Sequence, residues 1–208
     1  MQSAGVVLAA GSSRRLGSPK QLLIVNGQPL LEVVVAQVCA SKLDEVVVVL
    51  GAHADEIRAR VDLGRAKVLF NSDYESGMAS SLRAGLTALA REVSRAMVVL
   101  GDQPDISAAL LDRLLDLQHE SGLPAAALSF NGLLHPPVLM TRDLWGDLMS
   151  LEGDIGCRAL IRARPELVAK LPALADSRHP IDIDTEDDYK RLGKHLEKTG
   201  NRPSPPAT

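Results

Sequence analysis

The architecture of this chain follows from one stretch of residues, Gly5-Val6-Val7-Leu8-Ala9-Ala10-Gly11-Ser12-Ser13-Arg14-Arg15-Leu16-Gly17-Ser18-Pro19-Lys20. Residues 6–10 are apolar on both faces, which predicts a buried parallel strand. Gly11 permits backbone conformations that a side chain forbids, and free N–H groups after a strand can face an anion. Arg15 and Lys20 add positive charge. The stretch therefore predicts a buried strand that leads into a phosphate-binding loop, with an ordinary solvated loop as the alternative.

Length, composition and charge limit the classes of protein to consider. The chain has 208 residues, which predicts a single domain over residues 1–199, and a proline-containing end over 200–208 that we expect to be disordered. Aromatic residues make up only 2% and the net charge is −3, so we expect neither a nucleic-acid nor a membrane partner. The two cysteines form no disulfide or metal pattern, and residues 6–10 are too short for a signal segment. We expect a cytoplasmic protein.

Hydrophobic patterns further along the chain predict alternating strands and helices. The predicted strands are residues 46–50, 67–70, 96–100 and 125–130, after the first strand at 6–10. The first predicted helix covers residues 30–41, with a strand as the alternative. Two further helices are predicted from apolar stripes, one with Ile57 and Val61 and one with Met78, Leu82, Leu86 and Leu89. Two more are predicted from their N-terminal caps, Ser107 and Thr185. Residues 131–184 are less regular. This alternation predicts an α/β fold with a parallel sheet and right-handed crossovers.

Ligands of such sheets bind at the carboxyl ends of the strands, where Gly11 and Asp102 are both expected. An acid in this position can hold Mg²⁺, although Asp102 could instead serve a turn or cap a helix. Asp182 and Asp184 alternate with isoleucines, so a strand would place both carboxylates on one face. A second metal ligand is one interpretation of that pair, and a solvated sheet edge is the other.

Three further groups have both a functional and a structural interpretation. Asn71, Ser76, Ser80 and Ser81 surround a helix start, which can bind an anion or a sugar hydroxyl, or simply cap the helix. His135 precedes two prolines and can touch a substrate phosphate or ring, a structural histidine being the commoner case. Cys157 could be a reactive thiol or touch a thiol-bearing ligand, a small buried hydrophobe being the commoner case, whereas Cys39, Met78 and Trp145 are expected only to pack.

Taken together, the motifs resemble a known family. They are the stretch Leu8–Gly17 with Lys20, the segment from Asn71 through Gly77-Met78 to Ser80-Ser81-Leu82, Gly101-Asp102-Gln103-Pro104, Gly153-Asp154-Ile155-Gly156-Cys157-Arg158, and Asp182-Ile183-Asp184-Thr185-Glu186-Asp187. In this order they resemble the molybdenum cofactor cytidylyltransferase branch of the MobA-like nucleotidyltransferases. The resemblance covers residues 5 to about 195.

The resemblance implies a Rossmann-like, three-layer, mostly parallel sheet of the nucleotide-diphospho-sugar transferase type. It also implies Mg²⁺-dependent transfer of CMP from CTP to a molybdopterin-type cofactor, with a molybdoenzyme as a possible client. The residues that would contact the nucleotide are Leu8, Ala9, Gly11, Ser12, Arg15, Lys20, Asn71, Ser80 and Ser81. Lys20, Arg15 and Asp102 would be catalytic, Asp102 and Asp184 would bind the metal, and His135 and Asp154 would bind the acceptor.

Two residues depart from the family pattern, Leu134 where a glycine is usual and Cys157 where alanine is common. Both lie in the acceptor-binding half and leave the acceptor's identity open. The alternatives are a nucleotidyltransferase acting on another small phosphorylated acceptor, a non-catalytic carrier of the cofactor, and an oxidoreductase on the same fold. Lys20 and Asp102 argue against the last two, because binding alone does not need an acid that can hold a metal.

Overall fold

The computed structural model describes residues 1–13, 16–172, 185 and 187–189. Its strands are β1 (Gln2–Ala9), β2 (Ile24–Val25), β3 (Gln28–Pro29), β4 (Glu45–Leu50), β5 (Lys67–Phe70), β6 (Val93–Leu100), β7 (Ala125–Phe130), β8 (Leu133–Thr141) and β9 (Val168–Pro172). Its α-helices are α1 (Leu30–Ala40), α2 (Ala54–Arg60), α3 (Met78–Thr87), α4 (Ala108–Ser121), α5 (Trp145–Met149) and α6 (Cys157–Ala163). Short 3₁₀ turns cover Lys20–Leu22, Tyr74–Ser76, Arg142–Leu144 and Pro165–Leu167.

Within these residues, seven strands form one sheet in the order β5-β4-β1-β6-β8-β7-β9. The strand β1 is central and pairs in parallel with β4 and β6, and β7 pairs in parallel with β9. Valine-rich strands are buried on both faces because helices cover both sides of the sheet. The expected α/β fold, a mostly parallel three-layer sheet with helices on both faces, is confirmed.

Two apolar clusters hold the layers together, one on each face of the sheet. On one side, α1 and α4 pack on the sheet through residues such as Val34, Val35 and Leu111. On the other, α3, α5 and α6 pack through residues such as Leu82, Leu148 and Ile161. The cap predicted for α4 is confirmed, because the Ser107 hydroxyl accepts a hydrogen bond from the Leu110 N–H at 3.2 Å.

The less regular region contains the largest departure from expectation. The strand β8 lies inside the sheet, antiparallel to both β6 and β7, and β9 forms one edge. Pro136 and Pro137 disfavour a central strand, since proline lacks the N–H that a ladder needs. They are tolerated because β7 pairing shifts register there, from Val138 opposite Ala127 directly to His135 opposite Leu128.

Smaller differences concern the ends of elements. The first strand begins at Gln2, earlier than predicted, and α1 begins at Leu30. Pro29, the residue before that helix, ends a hairpin strand opposite Ile24. The predicted cap at Thr185 is confirmed by its reciprocal hydrogen bonds with Asp188. The predicted domain end at 199 and the expected disorder of 200–208 lie outside the described residues.

No helix in the described part of the chain is both long and apolar enough to cross a membrane.

Candidate active site

Lys20 and Asp102 meet where the two central strands end. The strands β1 and β6 run side by side, with Leu8 opposite Leu100, so the loops that follow them emerge at one edge of the sheet. The Lys20 Nζ lies 2.5 Å from Asp102 Oδ2, with the two side chains 19% and 13% exposed. The sequence prediction that the glycine loop and Asp102 share one edge is confirmed. A half-buried ion pair here places a cation and a carboxylate where a phosphate chain can reach both.

The loop between β1 and Lys20 is held by a residue that the sequence analysis missed, Gln21. Its side chain is buried, and its amide Nε2 donates to the carbonyl oxygens of Ala9 at 2.9 Å and Gly11 at 3.0 Å. The Ser13 hydroxyl accepts from the Lys20 N–H at 2.9 Å. These bonds satisfy the carbonyl oxygens of Ala9 and Gly11 and tie Ser13 to Lys20, so they hold the described start of the loop in one conformation. A polar residue inside the run Gln21-Leu22-Leu23 was the available signal.

Two adjacent cavities open beside this loop, one of about 470 Å³ and one of about 710 Å³. They have a common wall, formed by Leu8, Gly11, Ser12, Lys20, Met78, Leu100, Asp102 and Asp154. The smaller cavity continues along Ala9, Ala10, Gly101 and Ser81, and the larger one continues toward Pro136 and α6. The arrangement provides room for two ligands that meet at Lys20 and Asp102.

Asn71 and Ser80, predicted to contact the nucleotide, lie behind the wall of the smaller cavity. The Asn71 amide Nδ2 donates to the hydroxyls of Ser80 at 2.8 Å and Ser81 at 3.0 Å, and its Oδ1 accepts from the Asp73 N–H. Of these residues, Ser81 lines the cavity. The Asn71 side chain therefore organises the loop before α3, and Ser81 is the member of this network that lines the cavity.

Glycines join the loop before α3 to the loop before α6. Gly77 has φ +106°, and a Cβ there would lie 2.3 Å from the backbone carbonyl of Gly153. The Ala79 N–H donates to the Gly153 oxygen at 3.1 Å, and a Cβ at Gly156 would lie 2.5 Å from Met78 Sδ. The approach at Gly77 is open only to glycine, because the close atoms belong to the backbone, whereas the Met78 side chain beside Gly156 is flexible. The walls of the two cavities are thus packed directly against each other.

The predicted acceptor-side residues occupy different positions. Asp154 lines both cavities, whereas His135 is buried within β8, where its neighbour Pro136 reaches the larger cavity. Cys157 is buried, and burial raises the pKa of its thiol to about 12, so the thiol is neutral and packs as an apolar side chain. Trp145 is also buried, with the Arg142 guanidinium 4.6 Å from its ring centre.

The sequence of this chain is similar to those of known proteins. Residues 5–169 match the MobA-like NTP transferase domain. The chain belongs to this family. The fold of the nucleotide-diphospho-sugar transferase type, implied by the sequence resemblance, is confirmed.

Relatives match the MobA-like chain over nearly its whole length. A nicotine blue oxidoreductase from Paenarthrobacter nicotinovorans is 35% identical, covering 90% of this chain and 95% of the relative. The purine catabolism protein PucB from Bacillus subtilis (strain 168) is 30% identical, covering 92% and 96%. The crystal structure of Rv0371c from Mycobacterium tuberculosis H37Rv has 32% identity and a TM-score of 0.82, covering 92% of this chain and 97% of that one. A further structure of Rv0371c is a complex with manganese, with a TM-score of 0.80 and 30% identity, covering 92% and 98%.

The donor set of this MobA-like site suits a divalent metal that is held largely by substrate. Within residues 1–13, 16–172, 185 and 187–189, no three or more acidic, histidine or cysteine side chains cluster as a metal cage. Asp102 offers one carboxylate beside a cavity large enough for phosphate groups and water, which is the mixture that Mg²⁺ prefers. The predicted metal ligand Asp184 and the predicted phosphate ligand Arg15 lie outside the described residues.

Proposed function

We propose that this MobA-like protein transfers CMP from CTP to the terminal phosphate of a molybdopterin-type cofactor, with release of pyrophosphate. The observation that carries the proposal is the wall common to the two cavities, which contains both Lys20 and Asp102. A transferase needs two substrates to meet at one charged point, and these cavities meet there. Nucleotide in the smaller cavity and acceptor in the larger one would place the reacting phosphates at this wall.

The reaction is a single displacement. An oxygen of the acceptor phosphate forms a bond to the α-phosphorus of CTP, the bond to the bridging oxygen breaks, and pyrophosphate leaves with that electron pair. A phosphate monoester is already anionic near neutral pH, so no strong general base is required. The difficulty is negative charge gathered at the α-phosphate, and the side chains at this wall are suited to offset it.

Each residue at the wall has a defined role in this proposal. Lys20 supplies a positive charge to the phosphates, and the loop fixed by Gln21 presents the backbone of Gly11 and Ser12 to them. Arg15 and Asp184 are proposed to assist as a second cation and a second metal ligand. Mg²⁺ held by Asp102 would supply Lewis-acid charge to the phosphate oxygens. The manganese complex of Rv0371c supports a divalent metal in this family.

The nucleotide and acceptor contacts are part of the proposal. Leu8, Ala9 and Ser81 line the smaller cavity and would flank the nucleoside, with Asn71 and Ser80 supporting Ser81 from behind. Asp154 would face both substrates. His135 would act on the acceptor through the placement of Pro136, because His135 itself is buried in β8.

The test is a screen of nucleotides against acceptors in the presence of Mg²⁺. Purified protein is incubated with CTP, GTP, ATP or UTP and with molybdopterin cofactor, and pyrophosphate is measured. We expect release with CTP and molybdopterin together, and its loss when EDTA is added. Release with GTP but not CTP would refute the cytidylyl assignment, and release with another phosphorylated acceptor alone would replace the cofactor. Tight cofactor binding without release would indicate a carrier.

An oxidoreductase is the second candidate, because a relative of 35% identity bears the name nicotine blue oxidoreductase. The same preparation is therefore assayed for NADPH oxidation in the presence of nicotine blue. We expect none, since the ion pair at the common wall serves charge neutralisation rather than electron transfer. Turnover in this assay, without pyrophosphate release in the first, would favour the oxidoreductase.

A further inference from the structure

The helix α6 presents two arginines to the larger cavity. Cys157 and Ile161, four residues apart on its inner face, are only 3% and 1% exposed and pack into the core. Arg158 and Arg162 each follow one of them, so they share the neighbouring face of the helix. Both arginines line the cavity. Core packing of the inner face therefore sets the direction in which the two arginines project.

Packing constrains the position of α6 relative to α3, in addition to the rotation of α6 about its own axis. The loop before it is packed against the loop before α3 through Gly153 and Gly156, whose neighbours there are Gly77 and Met78. The firmest of these contacts is between backbones, because a Cβ at Gly77 would lie 2.3 Å from the Gly153 carbonyl, whose oxygen also accepts a hydrogen bond from the Ala79 N–H. Arg158 and Arg162 therefore project from a helix whose preceding loop is packed against the start of α3, and they line the same cavity as Lys20 and Asp102.

The charge of the larger cavity is uneven. Asp102 and Asp154 lie on the common wall, where Lys20 pairs with Asp102. The part beyond that wall has the two arginines, and its other described lining residues include no carboxylate. They are mostly small or apolar, among them Leu16, Val98 and Pro136. This part of the cavity combines an apolar surface with two guanidinium groups.

We propose that Arg158 and Arg162 form a subsite for a second anionic group of the acceptor, separate from the phosphate that attacks the nucleotide. The inference rests on the proposed function, since the attacking phosphate must lie at the common wall, where the two cavities meet. The arginines line only the larger cavity and so face the remainder of the acceptor. Guanidinium groups bind planar or tetrahedral oxyanions through paired hydrogen bonds, which suits this role.

The subsite defines a class of acceptor. Such a molecule has the attacking phosphate, a second negative group that reaches Arg158 and Arg162, and an apolar or flat part that packs against Val98 and Pro136. A simple phosphate monoester without that second group would fill only the common wall and would bind weakly. Selection among phosphorylated acceptors would therefore be made at Arg158 and Arg162, away from the bonds that form and break.

Binding measurements on four variants test the subsite: Arg158→Gln, Arg162→Gln, the double variant, and Arg113→Gln as a control. Arg113 is an exposed arginine on α4, which packs on the opposite face of the sheet. The affinity for molybdopterin, with and without bound molybdenum, is measured by fluorescence quenching in the absence of nucleotide. The affinity for CTP with Mg²⁺ is measured by calorimetry, and circular dichroism checks that each variant is folded.

We expect each single arginine variant to weaken molybdopterin binding about tenfold, and the double variant more, because each loses a charge-assisted hydrogen bond. CTP affinity should stay within about twofold, and Arg113→Gln should match the parent protein. A loss confined to the molybdenum-loaded form would identify the second anionic group as the metal oxyanion.

Unchanged molybdopterin affinity, or an equal loss of CTP affinity, would overturn the subsite, as would a parent protein that does not bind molybdopterin. CMP transfer by the parent protein is assayed separately. Arginine-dependent binding without transfer would refute the transferase proposal but support the subsite.

Discussion

The Nζ atom of Lys20 lies 2.5 Å from the Oδ2 atom of Asp102, although 82 positions separate them in the sequence. The two residues come together because each follows one of two adjacent parallel strands, which end at the same edge of the sheet. Neither side chain is fully exposed, so their charges are weakly screened. This pair marks the point where the two cavities meet.

We expect Lys20→Ala and Asp102→Asn to lower the rate of CMP transfer by about 10²–10³, equivalent to about 2–4 kcal/mol of barrier. Lys20 loses a cation beside the phosphates, and Asp102 loses a carboxylate that can hold a metal. The measurement is the pyrophosphate release rate as a function of Mg²⁺ concentration. Lys42→Ala is the control, because its ion pair with Asp116 is exposed and Lys42 lies before β4 at the amino ends of the parallel strands, opposite the edge that carries the site. A folded Asp102→Asn protein with the parent rate would remove Asp102 from the metal site.

Replacement of Gln21 by leucine should weaken nucleotide binding. The change leaves the carbonyl oxygens of Ala9 and Gly11 without their donor, so the loop no longer has one fixed shape. We expect an increase in the KM for CTP of about tenfold, with a smaller change in kcat. Gln118→Leu is the matched control. Gln118 is also buried, but its Nε2 donates to the carbonyl oxygen of Leu123, just after α4. If both variants lose stability alike and keep the parent KM, Gln21 has only a structural role.

Gly77→Ala should be strongly destabilising. A methyl group would have to enter space already occupied by the Gly153 carbonyl, at a φ of +106° that L side chains rarely adopt. We expect a loss of about 2 kcal/mol or more in the free energy of unfolding, measured by urea denaturation. Gly146→Ala serves as the control because its Cβ would meet nothing within 4 Å in α5, where alanine is favoured by about 1 kcal/mol or less. Similar stability of the two variants would contradict the packing of the two loops.

Cys157 should make the protein sensitive to alkaline pH. Burial raises the pKa of its thiol to about 12, above the value of about 8.5 expected for the unfolded chain. The unfolded state loses this proton first, so unfolding becomes easier as the pH rises from about 8.5 toward 12, by at most about 1.4 kcal/mol per pH unit. Below that pH range the thiol is protonated in both the folded and the unfolded protein, so it does not contribute to the pH dependence of the free energy of unfolding. Comparing urea unfolding of the parent and of Cys157→Ala at pH 7 and pH 10 isolates the effect. Parallel pH profiles would contradict it.

Much of the fold was predictable because its strands are short apolar runs and its helices have clear stripes or caps. The run 125–130 and the cap at Ser107 depend on local chemistry that the sequence displays directly. The strand β8 was missed for a physical reason. Its two prolines break the local pattern of a central strand, and only the register shift against β7 makes them acceptable.

The candidate site was predictable to the extent that its residues follow strand ends. Lys20 and Asp102 were found in this way. Gln21 was missed because its partners are backbone carbonyl oxygens, and the polar residue beside Leu22 and Leu23 does not by itself identify them. The burial of Asn71 behind Ser81 was also invisible, since a helix start shows the same polar residues whether they face a ligand or one another.

The antiparallel strand β8 has a consequence for how this protein lineage can diversify. It separates β5, β4, β1 and β6, which carry the loops around the smaller cavity, from β7 and β9 on its other side. Under the proposed function, mutations at β8 or α6 would therefore alter the choice of acceptor while leaving the loops that bind the nucleotide in place. We expect sequence differences among related proteins to be concentrated in β8 and α6, so that new acceptors are acquired there while the nucleotide-binding half is kept.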